Sequence, residues 1–78
     1  MQNRVINMES EAKVKDAIGA KDIALNYLAE HGTVVFSSEV NAIFKKSVAW
    51  FVMIQSVKFA GVVIVRSTTG EVLAMVKF

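Results

Sequence analysis

The spacing of apolar positions changes at Gly32, and this change divides the chain into two parts. Before Gly32, apolar residues recur at intervals of three, four and seven with charged residues between them, which is typical of an amphipathic helix. After it, runs rich in β-branched and aromatic residues predominate, which is typical of strands. The sequence therefore predicts one α+β domain spanning residues 1–78, with an N-terminal helix packed on a four-stranded antiparallel β-meander.

The helical pattern covers residues 8–30. Asn7 or Ser10 is the predicted N-cap, because either side chain can accept a hydrogen bond from a free amide at a helix start. Gly19 interrupts the pattern and predicts a kink, a break into two helices, or a close approach to the sheet. Gly32 is predicted to end the helix, since glycine tolerates the left-handed backbone that follows many helices.

Four apolar segments predict the strands. The first covers residues 33–36 and resumes at 40–44 after a loop or bulge. The other three are residues 48–54, 62–66 and 71–78. Turns are predicted at residues 45–47, within residues 57–61 and at residues 67–70. Gly61 and Gly70 support the last two, because glycine accepts the positive φ that many turns require. An Arg-Val-Ile sequence within residues 1–7 predicts either a short strand or an extended arm.

The apolar stretch at residues 48–65 is 18 residues long, which is nearly enough to cross a bilayer as a helix. Its β-type composition and Lys58, which is costly inside a bilayer, favour a buried sheet instead. The first residues lack the apolar segment of a secretory signal. We therefore expect a cytoplasmic protein that does not enter the membrane.

Both faces of the predicted sheet are apolar, whereas the chain has only enough helix to cover one. Hydrophobic residues make up 54% of the sequence, and the mean hydropathy is +0.45. Large apolar faces are rarely left exposed on soluble monomers, so the sequence predicts a two-fold homodimer formed through the sheet. The residues predicted to form the interface are Ala49, Phe51, Met53, Val63, Val65, Leu73 and Met75.

Candidate catalytic and metal-binding groups are few. The chain has no cysteine and one histidine, His31, which excludes thiolate and multi-histidine metal sites. His31 is interpreted as a residue at the helix end, where a cation suits the dipole. Carboxylates among lysines indicate a solvated helix face; they are Glu9, Glu11, Asp16 and Asp22. We expect no enzyme activity, no cofactor and no metal.

The net charge of +2 is too small to indicate a nucleic-acid partner by itself. The basic residues of the second half fall near predicted strand ends and turns, where lysine commonly protects sheet edges; they are Lys45, Lys46, Lys58, Arg66 and Lys77. Nucleic-acid binding remains an alternative, since Trp50 and Phe51 supply nearby aromatic rings.

Three segments resemble the PepSY domain family: the Ala-rich helix at residues 20–32, the strand at 49–54, and the hairpin at 62–76 that contains Thr-Gly-Glu-Val-Leu. The resemblance implies a helix on an antiparallel sheet and a non-catalytic module that binds or inhibits peptidases or acts in sensing. Members are usually exported or membrane-tethered, and Arg66 stands where the family often has Asp. Residues 59–76 also bear a weaker likeness to the roadblock family, which expects a helix where residues 48–54 are strand-like.

These patterns together predict a small non-enzymatic interaction module that binds a peptide or protein partner, with a regulatory or inhibitory role. An exposed sheet edge in such a domain can accept an extended strand from the partner. The alternatives are a nucleic-acid-binding accessory protein and a structural subunit of a larger assembly.

Overall fold

The structure, a computed structural model, describes residues 12–78. Their elements are α1 (Ala17–Glu30), a short 3-10 turn (Ser37–Glu39), β1 (Val40–Lys46), β2 (Ala49–Gln55), β3 (Ala60–Arg66) and β4 (Val72–Lys77). The strands pair antiparallel in the order β1-β2-β3-β4, and α1 packs on one face of the sheet. This architecture confirms the predicted α+β fold. The strand or arm predicted within residues 1–7 lies outside the described residues.

Helix α1 begins later than the sequence pattern predicts. Asp16 is the N-cap, and its Oδ1 accepts a hydrogen bond of 2.9 Å from the Gly19 amide. Residues 12–16 are not helical, so the prediction of a helix that already runs through them is wrong. The caps predicted at Asn7 and Ser10 lie outside the described residues. Gly19 belongs to the first turn of one continuous helix, and it causes no break.

Val14 shows why the helix starts late. Its spacing matches the apolar stripe of the helix, yet its backbone pairs with groups distant in sequence. The Val14 amide donates to the Ser67 carbonyl oxygen at 3.0 Å, and the Val14 carbonyl accepts from the Trp50 indole Nε1 at 3.0 Å. These long-range bonds hold the segment across the end of the sheet, and helix propensity does not override them.

The end of α1 follows the prediction. Gly32 has a φ of +89°, and its amide donates to the Ala29 carbonyl oxygen at 3.0 Å. The next amide, that of Thr33, donates to the Leu28 carbonyl oxygen at 2.8 Å. This pair of bonds is the Schellman motif, which satisfies carbonyls at the helix end that would otherwise lack donors.

The segment between α1 and β1 corrects a second prediction. Residues 33–36 form no strand, although their composition is strongly β-type. Val35 is nevertheless buried with 6% of its surface exposed, while Val34 and Phe36 on either side are more than half exposed. The segment is a connection pinned to the core by one side chain, and the strand begins only at Val40.

Each of the three connections between strands overlaps a predicted turn. Ser47 has a φ of +59° in the short connection before β2, and Gly70 has a φ of +81° before β4. The turn predicted within residues 57–61 lies at residues 56–59, so the role predicted for Gly61 is wrong, because Gly61 lies within β3. A Cβ atom built on Gly61 would overlap the Val76 carbonyl oxygen and meet the Phe59 ring at 2.9 Å. Glycine is therefore required there for close strand approach.

The core lies between α1 and one face of β2 and β3. The β2–β3 register pairs Trp50 with Val65 and Val52 with Val63, so these four side chains share that face. The valines are fully buried, and small helix residues allow close packing; the helix contributes Ala20, Ala24 and Leu28, each at most 1% exposed. Burying a side chain of valine or leucine size contributes about 1.5–3 kcal/mol, so this layer supplies much of the stability.

The Gly61→Ala variant tests the close approach of β3 and β4. The added methyl group meets backbone atoms, which cannot move without separating the strands. We expect the free energy of unfolding in urea to fall by about 1–3 kcal/mol, as in other overpacked sites.

Gly19→Ala is the matched control. There the new methyl group meets the exposed carboxylate of Asp16 at 3.3 Å, and a shift of a few tenths of an ångström relieves this contact while the N-cap hydrogen bond is kept. Its effect should stay within about 1 kcal/mol, the scale of helix propensity. Equal stability of Gly61→Ala and the parent would contradict the steric account.

Candidate interaction surface

The sheet face opposite α1 is apolar and is covered by no other described element. We name it the open face, defined by its central residues Phe44, Phe51, Met53, Val62, Ile64 and Val76. Phe44 is 47% exposed and Val76 is 48% exposed, whereas Val62 is 8% exposed because its neighbours screen it. An antiparallel sheet with one face in water usually carries polar residues on that face. The open face therefore has the composition of a contact surface.

Two aromatic rings form the centre of one side of the open face. Phe44 and Phe51 are partners in the β1–β2 ladder, and their rings stack with centroids 5.1 Å apart and planes at 5°. Phe51 also pairs with Ile64, which pairs with Ala74 on β4. A continuous apolar row thus crosses all four strands.

The structure divides the predicted interface residues between the two faces. Ala49, Phe51 and Met53 lie on the open face, as their alternation in β2 predicts. Val63 and Val65 are wrong as interface residues, because both are fully buried under α1. Because Phe51 pairs with Ile64, the residues of β3 that lie on the open face with Phe51 are Val62 and Ile64.

The two predicted residues of β4 also depart from the open face. Met75 pairs with Val63 and therefore lies on the helix side, with 39% of its surface exposed. Leu73 lies at an irregularity in the β3–β4 register. It falls between Val72, which pairs with Val65, and Ala74, which pairs with Ile64. The strand predicted there is present, but the bulge changes which of its residues share a face.

The two ends of the open face differ in charge. At one end Lys46 and Arg66 are both ladder partners of Ala49, and Arg66 Nε lies 4.0 Å from Glu71 Oε1. At the other end Asn41 Nδ2 donates to Gln55 Oε1 at 3.2 Å. The face therefore runs from a cationic row, formed by Lys46 and by Arg66 with Glu71 beside it, to an uncharged amide pair.

A groove lies between α1 and β4, with a volume of about 250 Å³. Its walls are four residues of one helix face and the chain around the start of the last strand. The lining residues are Ile23, Asn26, Tyr27, Glu30, Gly70 and Val72. The Ile23 Cδ1 atom lies close enough to Gly70 to touch a Cβ there, at 3.4 Å. Ligand pockets for small molecules usually measure about 300–1,000 Å³, so this groove has the size of a side-chain site.

The groove runs beside a sheet edge, because β4 is the last strand in the sheet order. The Phe78 amide donates to the Ala60 carbonyl oxygen at 2.9 Å, which places Phe78 in a hydrogen-bonded pair with β3. Antiparallel ladders alternate between bonded and non-bonded positions. Val76 therefore also bonds inward, while Met75 and Lys77 direct their backbone N–H and C=O groups outward from the described sheet.

Two of the candidate catalytic groups, His31 and Asp16, have structural roles. His31 donates from Nδ1 to the Tyr27 carbonyl oxygen at 2.8 Å, and its ring lies 4.3 Å from the Tyr27 ring. Asp16 caps the helix, whereas Glu9 and Glu11 lie outside the described residues. Within residues 12–78, no group of three or more His, Cys, Asp or Glu side chains is placed to hold a metal ion. That the protein is not an enzyme stays a prediction.

The basic residues of the second half do not form one patch. Lys46 and Arg66 lie together at one end of the open face, while Lys45 pairs with Trp50 and so faces the helix side. Lys58 lies in the connection between β2 and β3, at the opposite end of the sheet. No helix within the described part of the chain is long and apolar enough to cross a membrane. The cytoplasmic location stays a prediction.

Comparison with known proteins adds no relative. No protein-family model, curated protein or solved structure matches this chain. The PepSY resemblance therefore stays a prediction. Sequence reasoning missed the groove, because its residues come from two segments that only the β3–β4 hairpin brings together. The sequence does contain one signal of the groove: the spacing of Ile23, Tyr27 and Glu30 places all three on one face of the helix.

A double-mutant cycle tests the aromatic pair on the open face. Phe44→Leu and Phe51→Leu each remove a ring and keep an apolar side chain. Because stacked rings contribute about 0.5–1.5 kcal/mol beyond their buried area, the two losses of unfolding free energy should not be additive. Urea unfolding at one fixed protein concentration measures the coupling, and additive losses would contradict a stabilising stack.

Proposed function

We propose that this protein is a small non-enzymatic interaction module that binds an extended peptide segment of a partner protein by strand addition to β4. The observation that carries the proposal is the outward-directed backbone of β4 beside the α1–β4 groove. In strand addition, backbone hydrogen bonds provide affinity and pockets for alternate side chains provide specificity. This module offers both features at one edge.

In the proposed complex the peptide lies along the outer edge of β4. Its backbone would exchange hydrogen bonds with Met75 and Lys77, forming a fifth strand next to β4. Successive side chains of a strand point to opposite faces, so alternate peptide residues point toward α1. One of them enters the groove between Tyr27 and Val72.

The lining of the groove selects the peptide. Ile23, Tyr27 and Val72 supply apolar surface, while Asn26 and Glu30 supply an amide and a carboxylate at the groove. This combination favours an apolar or aromatic anchor residue followed closely by a lysine or arginine, which can reach Glu30. A cofactor is not expected in so small a site.

The β1 edge fits this role less well. Its register with β2 is irregular between Val40 and Ala42, and it ends in the two lysines Lys45 and Lys46. Irregularities and lysines are common protections against strand addition at sheet edges. The described groove, moreover, lies on the β4 side.

Two further considerations bear on the proposal. The PepSY resemblance supports a binding module with a regulatory or inhibitory role. Nucleic-acid binding gains no support from the geometry, because the basic residues are distributed over both ends and both faces of the sheet. A structural role in a larger assembly would use the same surfaces.

Selection from a displayed library of random dodecapeptides tests the proposal. We expect the selected peptides to share an apolar or aromatic residue near a basic one. Binding of a synthetic selected peptide should protect the Met75 and Lys77 amides from hydrogen exchange, and it should leave the β1 amides unchanged. Its affinity should depend weakly on salt, unlike binding to nucleic acid.

Two variants at one position supply the control. Met75→Pro removes an outward N–H without removing a β3–β4 hydrogen bond, and edge strands tolerate proline at such positions. Met75→Val keeps the N–H and the strand propensity. We expect Met75→Pro to weaken the affinity for the peptide at least tenfold, and we expect Met75→Val to leave that affinity unchanged. Equal binding by both variants, or a library that yields no peptide, would overturn strand addition at β4.

A further inference from the structure

We infer that a second copy of this chain covers the open face, and that the two-fold axis lies between the sheets and runs across the strands. The two sheets then pack face to face with their strands antiparallel. This contact is separate from peptide binding at β4, because it uses the face of the sheet and leaves the outer edge of β4 accessible.

Shape and area favour another sheet as the occupant. The open face is four strands wide and about seven residues long, which gives roughly 20 Å by 23 Å. Two such faces bury roughly 900 Å² in projection before the relief of the side chains is counted. That places the contact at the lower end of specific protein interfaces. A flat apolar sheet face matches a second face of the same kind, since sheets pack about 10 Å apart.

Charge selects between the two symmetric ways of stacking the faces. If the two-fold axis ran along the strands, the ends of the two faces that carry Lys46 and Arg66 would coincide. If the axis runs across the strands, the cationic row of each copy lies over the Asn41–Gln55 amide pair of the other. Like charges across a contact are unfavourable, so the second arrangement is preferred.

The amide end also has room for the partner's basic side chain. A depression of about 210 Å³ lies there, lined by Asn41, Met53, Ile54, Gln55, Ala60 and Phe78. Amide oxygens accept hydrogen bonds from guanidinium and ammonium groups. Two-fold symmetry forms this contact twice, once at each end of the interface.

Sedimentation equilibrium tests the dimer, with the parent chain at about 1–200 µM. We expect the mass to rise from that of one 8.6 kDa chain to that of two within this range. A parent that remains a single chain throughout, while it unfolds cooperatively, would overturn the inference. In that case the open face binds something other than a second copy.

Three lysine variants locate the contact. Phe51→Lys and Phe44→Lys place a charge in the centre of the interface, and both should shift the mass to one chain across the range. Ile18→Lys is the matched control, because Ile18 is an exposed apolar residue of α1, 66% exposed and away from the open face. It should dimerise like the parent. Urea unfolding at low concentration confirms that each variant folds. If one open-face variant fails to fold, the other still decides the question.

Two substitutions of opposite charge at Gln55 test the direction of the two-fold axis. Over a cationic row, Gln55→Glu should tighten the dimer roughly three- to tenfold, and Gln55→Lys should weaken it by a similar factor. High salt should reduce both effects. If the axis ran along the strands, the ends of the two copies that carry Gln55 would coincide, so that like charges would lie close together and both variants would weaken the dimer. That result would overturn the proposed orientation.

Peptide binding at β4 and dimer formation through the open face can be tested independently. Met75→Pro should abolish peptide protection and keep the mass of the parent, whereas Phe51→Lys should change the mass and keep peptide binding. A parent that dimerises but selects no peptide contradicts strand addition at β4 alone.

Discussion

The register between β2 and β3 is the constraint on which the rest of the structure depends. Both strands are apolar at nearly every position, so a slip of one residue would exchange their faces with little change in composition. Hydrophobic patterning therefore cannot select the register. Contacts with other parts of the chain fix the face of each strand instead. Gly61 of β3 must lie where the Val76 carbonyl of β4 approaches, and the Trp50 indole of β2 must reach the Val14 carbonyl. With these fixed, Val52 and Val63 face α1.

Much of the fold could be predicted because local chemistry specifies it. Helix and strand periodicities differ, and the change at Gly32 separates them. Gly32 and Gly70 both have the positive φ that their positions predict. Antiparallel order follows from short connections between successive strands, which leave little room for any other topology. The apolar character of both sheet faces was likewise readable, since alternation along β2 needs no knowledge of its neighbours.

The wrong predictions share one physical cause: contacts between residues that are distant in sequence determine the structure at these positions. Val14 has helical spacing but pairs with Ser67, and residues 33–36 have strand composition but no partner strand. Val63 was grouped with Phe51 because alternation within a strand does not say which residue faces which across the ladder. Only the observed pairing of Phe51 with Ile64 resolves that choice. The groove likewise required the β3–β4 hairpin to bring Val72 beside Tyr27.

The junction at Val14 has a consequence for the order in which the protein folds. Adjacent strands of a meander meet through short loops, and such local contacts form early. Trp50 and Val14, by contrast, are 36 residues apart, and their hydrogen bond also needs Ser67 in place to hold the Val14 amide. We therefore expect the segment before α1 to dock last and to open first, without unpairing any strand. In such a local unfolding unit the Val14 amide should exchange sooner than the amides of β2, and the indole fluorescence of Trp50 should report the opening.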